Sequence, residues 1–236
     1  MGCYIAADGG GSKFIALLFD DKLILRGAAR SGGVYTTAAP DEVVERNIMD
    51  CFRSLNLHEG EDTHCVYGSF PNDNPAFERV MNELGIKRME LIDEGRLGLY
   101  AAMVIGGGFL ALAGTGATMF FVDGDKTVIS GGFGSVVYDE GSGYFIGRMA
   151  LKAVITDYEG YGQTTVLTRY VCEAFGYDDA RDAIVSLYAR NRPPIAEVAA
   201  LAPLVSQAAR NGDRPALSIL RDAGKSLAIQ ISALIA

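Results

Sequence analysis

Tryptophan, clustered basic residues and paired cysteines are all missing from this chain of 236 residues. The formal net charge is −8 and no block of lysine or arginine occurs, so the basic stripe that nucleic-acid binding requires is lacking. The four cysteines are scattered without a C-x-x-C pair, which argues against a zinc site or an iron–sulphur cluster. We expect buried, reduced thiols in a cytoplasmic protein.

Long hydrophobic runs are lacking too. No stretch of about 18 apolar residues occurs, and the N-terminus has neither the basic region nor the apolar core of a signal peptide. Neither export nor membrane spanning is therefore indicated. The composition, with 49% apolar and 21% charged residues, predicts a globular protein with a sizeable core.

Glycine, in contrast, is abundant. Its 29 residues are about 12% of the chain, whereas the usual fraction is roughly 7%. The clusters fall at residues 9–11, 32–33, 106–108, 114–116, 131–134 and 141–143. Several stand between a strand and the next element, where backbone N–H groups can cradle phosphate oxygens. A Cβ at such a place would block both positive φ and close backbone approach. For any single cluster, a simple tight turn is an equally good explanation.

The first hundred residues predict a mixed sheet with helices on both faces. The expected strands are residues 3–7, 14–19, 22–29, 64–70 and 88–92, and the expected helices are 40–55, 74–85 and about 95–105. The first three strands form a meander, since only short turns separate them. Asp41 is placed to cap the first helix.

After residue 105 the pattern starts again. A strand at 109–114, a glycine turn and a strand–turn–strand at 117–130 repeat the N-terminal organisation. We therefore expect two domains of related architecture, covering residues 1–105 and 106–236. From 146 onwards the chain is expected to be almost wholly helical.

The last predicted helix carries a narrow apolar row. Its members are Leu217, Leu220, Gly224, Leu227, Ile231 and Leu234. Their spacing of three or four residues indicates a core-facing stripe, and a coiled-coil partner is the alternative.

The sequence matches neither of two common nucleotide-binding loops. A Walker A motif would need glycine where Ile219 stands, and a dinucleotide fingerprint would need glycine where Met119 stands. What remains is the pair "DGGGSK" at 8–13 and "AGTGAT" at 113–118, at equivalent places in the two predicted domains.

These two turns resemble those of the actin, hexokinase and heat-shock-chaperone ATPase superfamily. More narrowly, "DGGGSK", "AGTGA", "GGFGSVVYDEGSGYFIG" and "NGDRPALSILRDAGKSLA" look like the N-acetylglucosamine kinase family, which is related to glucosamine kinases and to the activator ATPases of benzoyl-CoA reductase. The resemblance covers nearly the whole chain. It implies an α/β protein with two ribonuclease H-like (actin-like ATPase) domains, each a mixed sheet flanked by helices, and a central cleft where two glycine turns clamp ATP.

The resemblance also implies site residues. Asp8 would orient Mg²⁺ through water, because the concentrated negative charge of a triphosphate needs a metal ion. The β- and γ-phosphates would meet Gly9, Gly10, Gly11, Ser12 and Lys13. The second clamp, at the α- and β-phosphates and near the sugar, would be Gly114, Thr115 and Gly116.

Asp93 closes a predicted strand and precedes a predicted helix, the place where these kinases carry the catalytic base and a sugar ligand. A carboxylate there can take the proton of the attacking sugar hydroxyl, and a helix N-cap is the alternative. Asp139, with Glu140 beside it, matches a sugar-hydroxyl ligand of the family. Without the family, that pair would be an ordinary polar loop.

Two departures from the family pattern stand out. Sugar-binding members usually carry an asparagine where this chain has Tyr35 and Thr36, which leaves the sugar's identity open. Family members also continue past the long helix into a strand and a glycine-rich turn that bind adenosine. The resemblance thus implies that the second domain is incomplete before that motif. An unfinished domain would expose an apolar edge and favour self-association such as a homodimer.

The function implied by the resemblance is an ATP-dependent sugar kinase. Its partners would be ATP with Mg²⁺ and a small-molecule amino sugar, N-acetylglucosamine or glucosamine, with no nucleic acid and no membrane. An activator-type ATPase and a non-catalytic sugar-binding or regulatory paralogue are the alternatives.

Overall fold

A computed structural model describes residues 2–36, 39–57, 62–69, 74–102, 106–135, 137–189 and 194–235. The chain divides into two compact units, Met1–Gly107 and Gly108–Ala236, and each is considered by itself. Phe70, residues 103–105 and Ala236, which belong to predicted elements or domains, lie outside the described residues.

The first unit contains a five-stranded mixed sheet, as predicted. Its elements are β1 (Gly2–Gly9), β2 (Phe14–Phe19), β3 (Leu25–Ser31), α1 (Asp41–Arg53), β4 (Asp62–Ser69), α2 (Pro75–Glu83), β5 (Arg88–Asp93) and α3 (Glu94–Ala101). The strand order is β3-β2-β1-β4-β5. Strands β1, β2 and β3 pair antiparallel, whereas β1, β4 and β5 run parallel, so the carboxyl ends of these three lie at one edge.

The core of this unit forms where alternate side chains of the sheet meet α1 and α2. Phe14, Phe52, Tyr67 and Phe77 pack there with ring centroids 3.8 to 6.2 Å apart. Such aromatic pairs add to the stabilisation from apolar burial. On the opposite face α3 covers the end of β4, where Gly68 leaves room for its side chains. Helices therefore flank both faces of the sheet.

Two local predictions in this unit were wrong. Asp41 does not cap α1: it is the first helical residue after Pro40, where its charge favours the helix dipole. Strand β3 begins at Leu25 because Asp20 holds the preceding turn, its Oδ1 accepting from the backbone N–H groups of Lys22 and Ile24 at 2.9 and 2.8 Å.

Three of the four cysteines are buried, as expected. Cys3, Cys51 and Cys65 are buried thiols that form no disulfide, and Cys172 is a half-buried thiol that forms none. Burial raises the pKa of the Cys65 thiol to about 12, so this side chain behaves as a small apolar group.

The second unit repeats the meander and then becomes helical. Its elements are β6 (Gly107–Ala113), β7 (Ala117–Asp123), β8 (Lys126–Gly131), α4 (Gly143–Tyr158), α5 (Leu167–Phe175), α6 (Ala180–Val185), a 3-10 turn (Ser186–Ala189), α7 (Ile195–Ala199), α8 (Ala202–Arg210) and α9 (Arg214–Ile235). The sheet order is β6-β7-β8, with β7 and β8 antiparallel. Across the described residues, no helix combines the length and apolar character that a membrane crossing needs.

Helix α9 buries a face that is shifted from the predicted one. The buried residues are Ala216, Ile219, Ala223 and Gln230. Leu217 and Gly224 of the predicted row are exposed, while Leu220, Leu227, Ile231 and Leu234 are half-buried. Two of the buried residues are alanines, which a pattern based on large apolar residues does not detect.

Asp213 joins two helix starts in this unit. Its carboxylate accepts from Thr165 Oγ1 at 2.9 and 3.0 Å, from the backbone N–H of Val166 at 2.9 Å, and from that of Ala216 at 2.9 Å. Because hydrogen bonds to a charged acceptor are stronger than neutral ones, we expect Asp213→Ala to lower the free energy of unfolding by about 2–3 kcal/mol.

Chemical denaturation of the purified variant would measure this loss. Asp222→Ala on the same helix is the matched control, since Asp222 is exposed and its nearest cation, Lys225, is 3.8 Å away. A control as destabilised as Asp213→Ala would contradict the special role of Asp213.

Candidate active site

The first glycine turn connects β1 to β2. The backbone N–H of Gly10 donates to the carbonyl oxygen of Lys13 at 2.9 Å and closes the turn. Gly11, Ser12 and Lys13 are exposed, so the tip of the turn projects from the sheet. A turn of this shape can offer backbone N–H groups and a lysine to an anionic ligand.

Glycine is required in this turn for space rather than for positive φ. A Cβ on Gly9 would stand 2.7 Å from Val34 Cγ2 and 2.9 Å from the Tyr67 hydroxyl oxygen. None of Gly9, Gly10 and Gly11 has a left-handed φ, so that part of the expectation was wrong. In the second turn, Gly114 and Gly116 likewise lack a left-handed φ.

Two acidic residues lie near the base of the first turn. Burial raises the pKa of Asp8, and the charge of Lys13 partly offsets this. Burial, and then the charge of Asp8, raises the pKa of Glu94 to about 7. Glu94 was missed in the sequence, because nothing in "LIDEGRLG" shows that the residue after Asp93 approaches Asp8 across the sheet.

Asp93 lies at the same edge of the sheet as the first turn. The strand register pairs Gly9 with Ser69, and Ser69 with Asp93, across β1, β4 and β5. Asp93 also caps α3: its Oδ1 accepts from the backbone N–H of Arg96 at 2.8 Å, and its Oδ2 lies 3.5 Å from Arg96 Nε. The predicted N-cap is therefore present, and a cap does not prevent the carboxylate from serving as a base.

The second glycine turn, residues 114–116, connects β6 to β7 and is bonded to the start of α4. The carbonyl oxygen of Gly114 accepts from the backbone N–H of Gly143 at 2.7 Å, and that of Thr115 accepts from Tyr144 at 3.2 Å. Ser142 caps the same helix through its hydroxyl, 3.1 Å from the backbone nitrogen of Phe145. Helix α4 thus fixes the position of the turn.

Asp139 lies directly against the second turn, so the structure brings these predicted site residues together. A Cβ on Gly116 would stand 2.5 Å from Asp139 Oδ2. Asp139 is only 4% exposed and has a left-handed φ of 54°. Its Oδ2 accepts from Ser135 Oγ at 3.2 Å, and its Oδ1 has no hydrogen-bond partner in the described part of the chain. A buried carboxylate oxygen without a donor is costly, and a hydroxyl donor from a ligand would relieve that cost.

Glu140 points to different partners. Its carboxylate forms an ion pair with Arg148 at 3.1 Å, and its carbonyl oxygen accepts from Gln230 Nε2 at 2.9 Å. Gln230 is a buried polar residue of α9 that sequence reasoning missed. The available sign in the sequence was a glutamine outside the apolar row of the last predicted helix.

The same design occurs in both units: a three-stranded meander whose first connection is a glycine turn, followed by helices. With the mixed five-stranded sheet of the first unit, this design defines the actin-like ATPase class of proteins. The chain matches the BadF/BadG/BcrA/BcrD ATPase family over residues 7–236 and belongs to that family.

Individual relatives agree with this assignment. The N-acetylmuramic acid/N-acetylglucosamine kinase of Clostridium acetobutylicum is 24% identical over 241 residues, which cover 98% of this chain and 78% of that protein. A solved candidate N-acetylglucosamine kinase of Chromobacterium violaceum is 26% identical with a TM-score of 0.78, over 99% of this chain and 83% of its own. Another from Porphyromonas gingivalis has a TM-score of 0.74 at 16% identity, over 96% and 80%.

The raised pKa of Glu94 predicts a pH-dependent stability. Between pH 4.5 and 7 the folded protein keeps the Glu94 proton that the unfolded chain has released, so this stabilisation is lost as the pH rises through about 7. Glu94→Gln should therefore be more stable than the parent at pH 8, by about 3 kcal/mol, and should converge with it below pH 4.5.

Denaturation series at pH 4 to 8 would measure this difference. The exposed Glu83 provides the control, since Glu83→Gln should leave the pH slope unchanged. Part of the slope remains in Glu94→Gln, because the pKa of Asp8 is raised as well. Identical slopes in the Glu94→Gln variant and the parent would contradict the assignment.

Proposed function

We propose that this protein is an ATP-dependent sugar kinase that phosphorylates a hydroxyl of an amino sugar, N-acetylglucosamine or a close derivative. The observation that carries the proposal is the shared register of Gly9 and Asp93, which brings the first glycine turn and a carboxylate to one edge of one sheet. A protein that only binds nucleotide would not need that carboxylate there. The names of the relatives, which are kinases of N-acetylated amino sugars, support the same reaction.

In this proposal the two glycine turns bind the phosphates of ATP. Gly9, Gly10, Gly11, Ser12 and Lys13 supply donors to the β- and γ-phosphates, and Gly114, Thr115 and Gly116 supply donors to the α- and β-phosphates. Phosphoryl transfer depends mainly on such positioning and on charge stabilisation.

Asp93 is the proposed base. Its carboxylate takes the proton of the sugar hydroxyl while the hydroxyl oxygen bonds to the γ-phosphorus and the bond from that phosphorus to the bridging oxygen of ADP breaks. The backbone hydrogen bond from Arg96, together with the ion pair to its guanidinium, holds the carboxylate in one orientation. Proton acceptance by Asp93 keeps the attacking oxygen nucleophilic as the new bond forms.

The residues of the first unit fit a magnesium ion. Magnesium in kinases is held by one or two carboxylates together with substrate phosphates. Asp8 offers a half-buried carboxylate beside the first turn, close enough to Lys13 for the two charges to interact. When bound, Mg²⁺ would neutralise charge on the β- and γ-phosphates.

Asp139 and Thr115 are the proposed sugar ligands of the second unit. The free, buried Oδ1 of Asp139 is suited to accept a hydrogen bond from a sugar hydroxyl, and Thr115 lies in the turn beside it. The resemblance also implied Glu140 as a ligand, but its carboxylate already pairs with Arg148, so the proposal assigns the ligand role to Asp139.

A coupled assay of ADP release with a panel of amino sugars tests the proposal. We expect release that depends on N-acetylglucosamine, N-acetylmuramic acid or glucosamine, with the sugar phosphate found by mass spectrometry. ATP hydrolysis at the same rate without any sugar would favour an activator-type ATPase. Sugar binding by calorimetry without ADP release would favour a non-catalytic paralogue.

A further inference from the structure

The glycine pair at 32–33 has no role in the proposed reaction, yet it contacts the first glycine turn. A Cβ on Gly33 would stand 2.1 Å from the carbonyl oxygen of Gly11, so only glycine allows this approach. The next residue, Val34, donates its backbone N–H to the carbonyl oxygen of Gly10 at 2.9 Å. The ring of Tyr35 lies beside Gly11, 3.4 Å from the position a Cβ would take there. We call residues 32–35 the support segment.

Two asparagine amides hold the support segment from its other side. Asn47, on α1, donates from Nδ2 to the carbonyl oxygen of Gly33 at 2.8 Å. Asn74, just before α2, donates from Nδ2 to the carbonyl oxygen of Val34 at 3.0 Å. The two carbonyl groups are consecutive, so Asn47 holds the peptide plane between Gly33 and Val34, and Asn74 holds the next one, between Val34 and Tyr35.

The Asn74 side chain bonds to Val34 and does not cap the helix that follows it. Asparagine at the residue before a helix ordinarily caps it through the side chain. Asn74 occupies that position for α2 but forms no side-chain cap, and it is only 9% exposed. Its buried amide is therefore used for the support segment, over a separation of 40 residues in the chain.

We propose that Asn47 and Asn74 are positioning residues for ATP, which act by fixing the support segment and through it the first phosphate turn. This inference rests on the proposed function. The turn is exposed at Gly11, Ser12 and Lys13, and the support segment contacts it from outside its own hairpin at Gly10 and Gly11. Loss of either amide should let the turn sample conformations that bind phosphate less well.

The test compares Asn47→Ala and Asn74→Ala with Asn82→Ala, which removes an exposed amide from α2 without touching the support segment. Hydrogen–deuterium exchange of residues 9–13 would be measured without ligand, and the KM for ATP and kcat would be measured at saturating sugar. We expect faster exchange and a roughly tenfold higher KM for ATP in the first two variants, and neither change in the control.

A purely structural role gives a different result. Partial unfolding would lower kcat through the active fraction but leave the KM of the folded molecules unchanged. Unchanged exchange at residues 9–13, or an unchanged KM for ATP, would overturn the inference. If the parent protein shows no sugar-dependent turnover, the proposed function fails, and the exchange of residues 9–13 together with ATP titration still decides the role of the two asparagines.

Discussion

Asp93→Asn should reduce sugar phosphorylation by about 10²- to 10⁴-fold while sugar binding stays nearly intact, because general-base assistance is typically of that size. The amide cannot take a proton at neutral pH. It can still accept the bond from the Arg96 backbone N–H that now caps α3, since asparagine is among the best N-cap residues. The variant therefore separates the base from the cap. Steady-state kinetics and calorimetry with the sugar are the measurements.

Two further substitutions make this result specific. Asp93→Ser keeps a capping oxygen without a base and should match Asp93→Asn in both rate and stability. Asp93→Ala removes base and cap together, so it should lose the same rate and also about 1 kcal/mol of stability. If Asp93→Asn turns over at a rate comparable to the parent, the base assignment is wrong and the cap is the whole role of Asp93.

Asp139→Ala should raise the KM for the sugar by roughly 10- to 100-fold, since a hydrogen bond to a charged acceptor contributes about 1.5–3 kcal/mol. The carboxylate is buried against the second turn with Oδ1 available to a donor from the sugar. The KM for ATP should change much less. Asp139→Asn is the companion variant, because asparagine tolerates the left-handed backbone that this position adopts.

Glu140→Gln is the matched control for Asp139. Its carboxylate belongs to a partly exposed ion pair with Arg148, which is worth at most about 1 kcal/mol. A sugar KM within about twofold of the parent is expected on that basis. An effect equal to that of Asp139→Ala would instead support Glu140 as the sugar ligand and remove Asp139 from that role.

Much of the fold could be predicted from local signals. Alternation of apolar residues and short polar turns located the meanders, because a half-buried strand needs a period of two. Asp93 could be placed at a strand end for the same reason. The face of α9 could not be assigned, since burial at Ala216 and Ala223 depends on the helix that lies opposite.

The site was less predictable than the fold. Asp139 and the second turn were found through the "DEGSG" resemblance, and the structure puts them in contact. The near-neutral pKa of Glu94 arises from burial and from Asp8, which lies 86 positions earlier in the chain. The bond from Asn74 to Val34 similarly joins distant positions. Such pairs depend on how the sheet is assembled, and no local pattern records them.

The bonds between the second turn and α4 have a mechanical consequence. Gly114 and Thr115 accept from the first two residues of a helix that is 16 residues long, about 24 Å from end to end. The turn cannot shift without breaking both bonds or carrying the helix with it. The helix in turn packs against α5, α7, α8 and α9. A displacement of the second turn would therefore have to move this group of packed helices as well. If the protein is the proposed kinase, any hinge that it uses during turnover must therefore lie outside that joint.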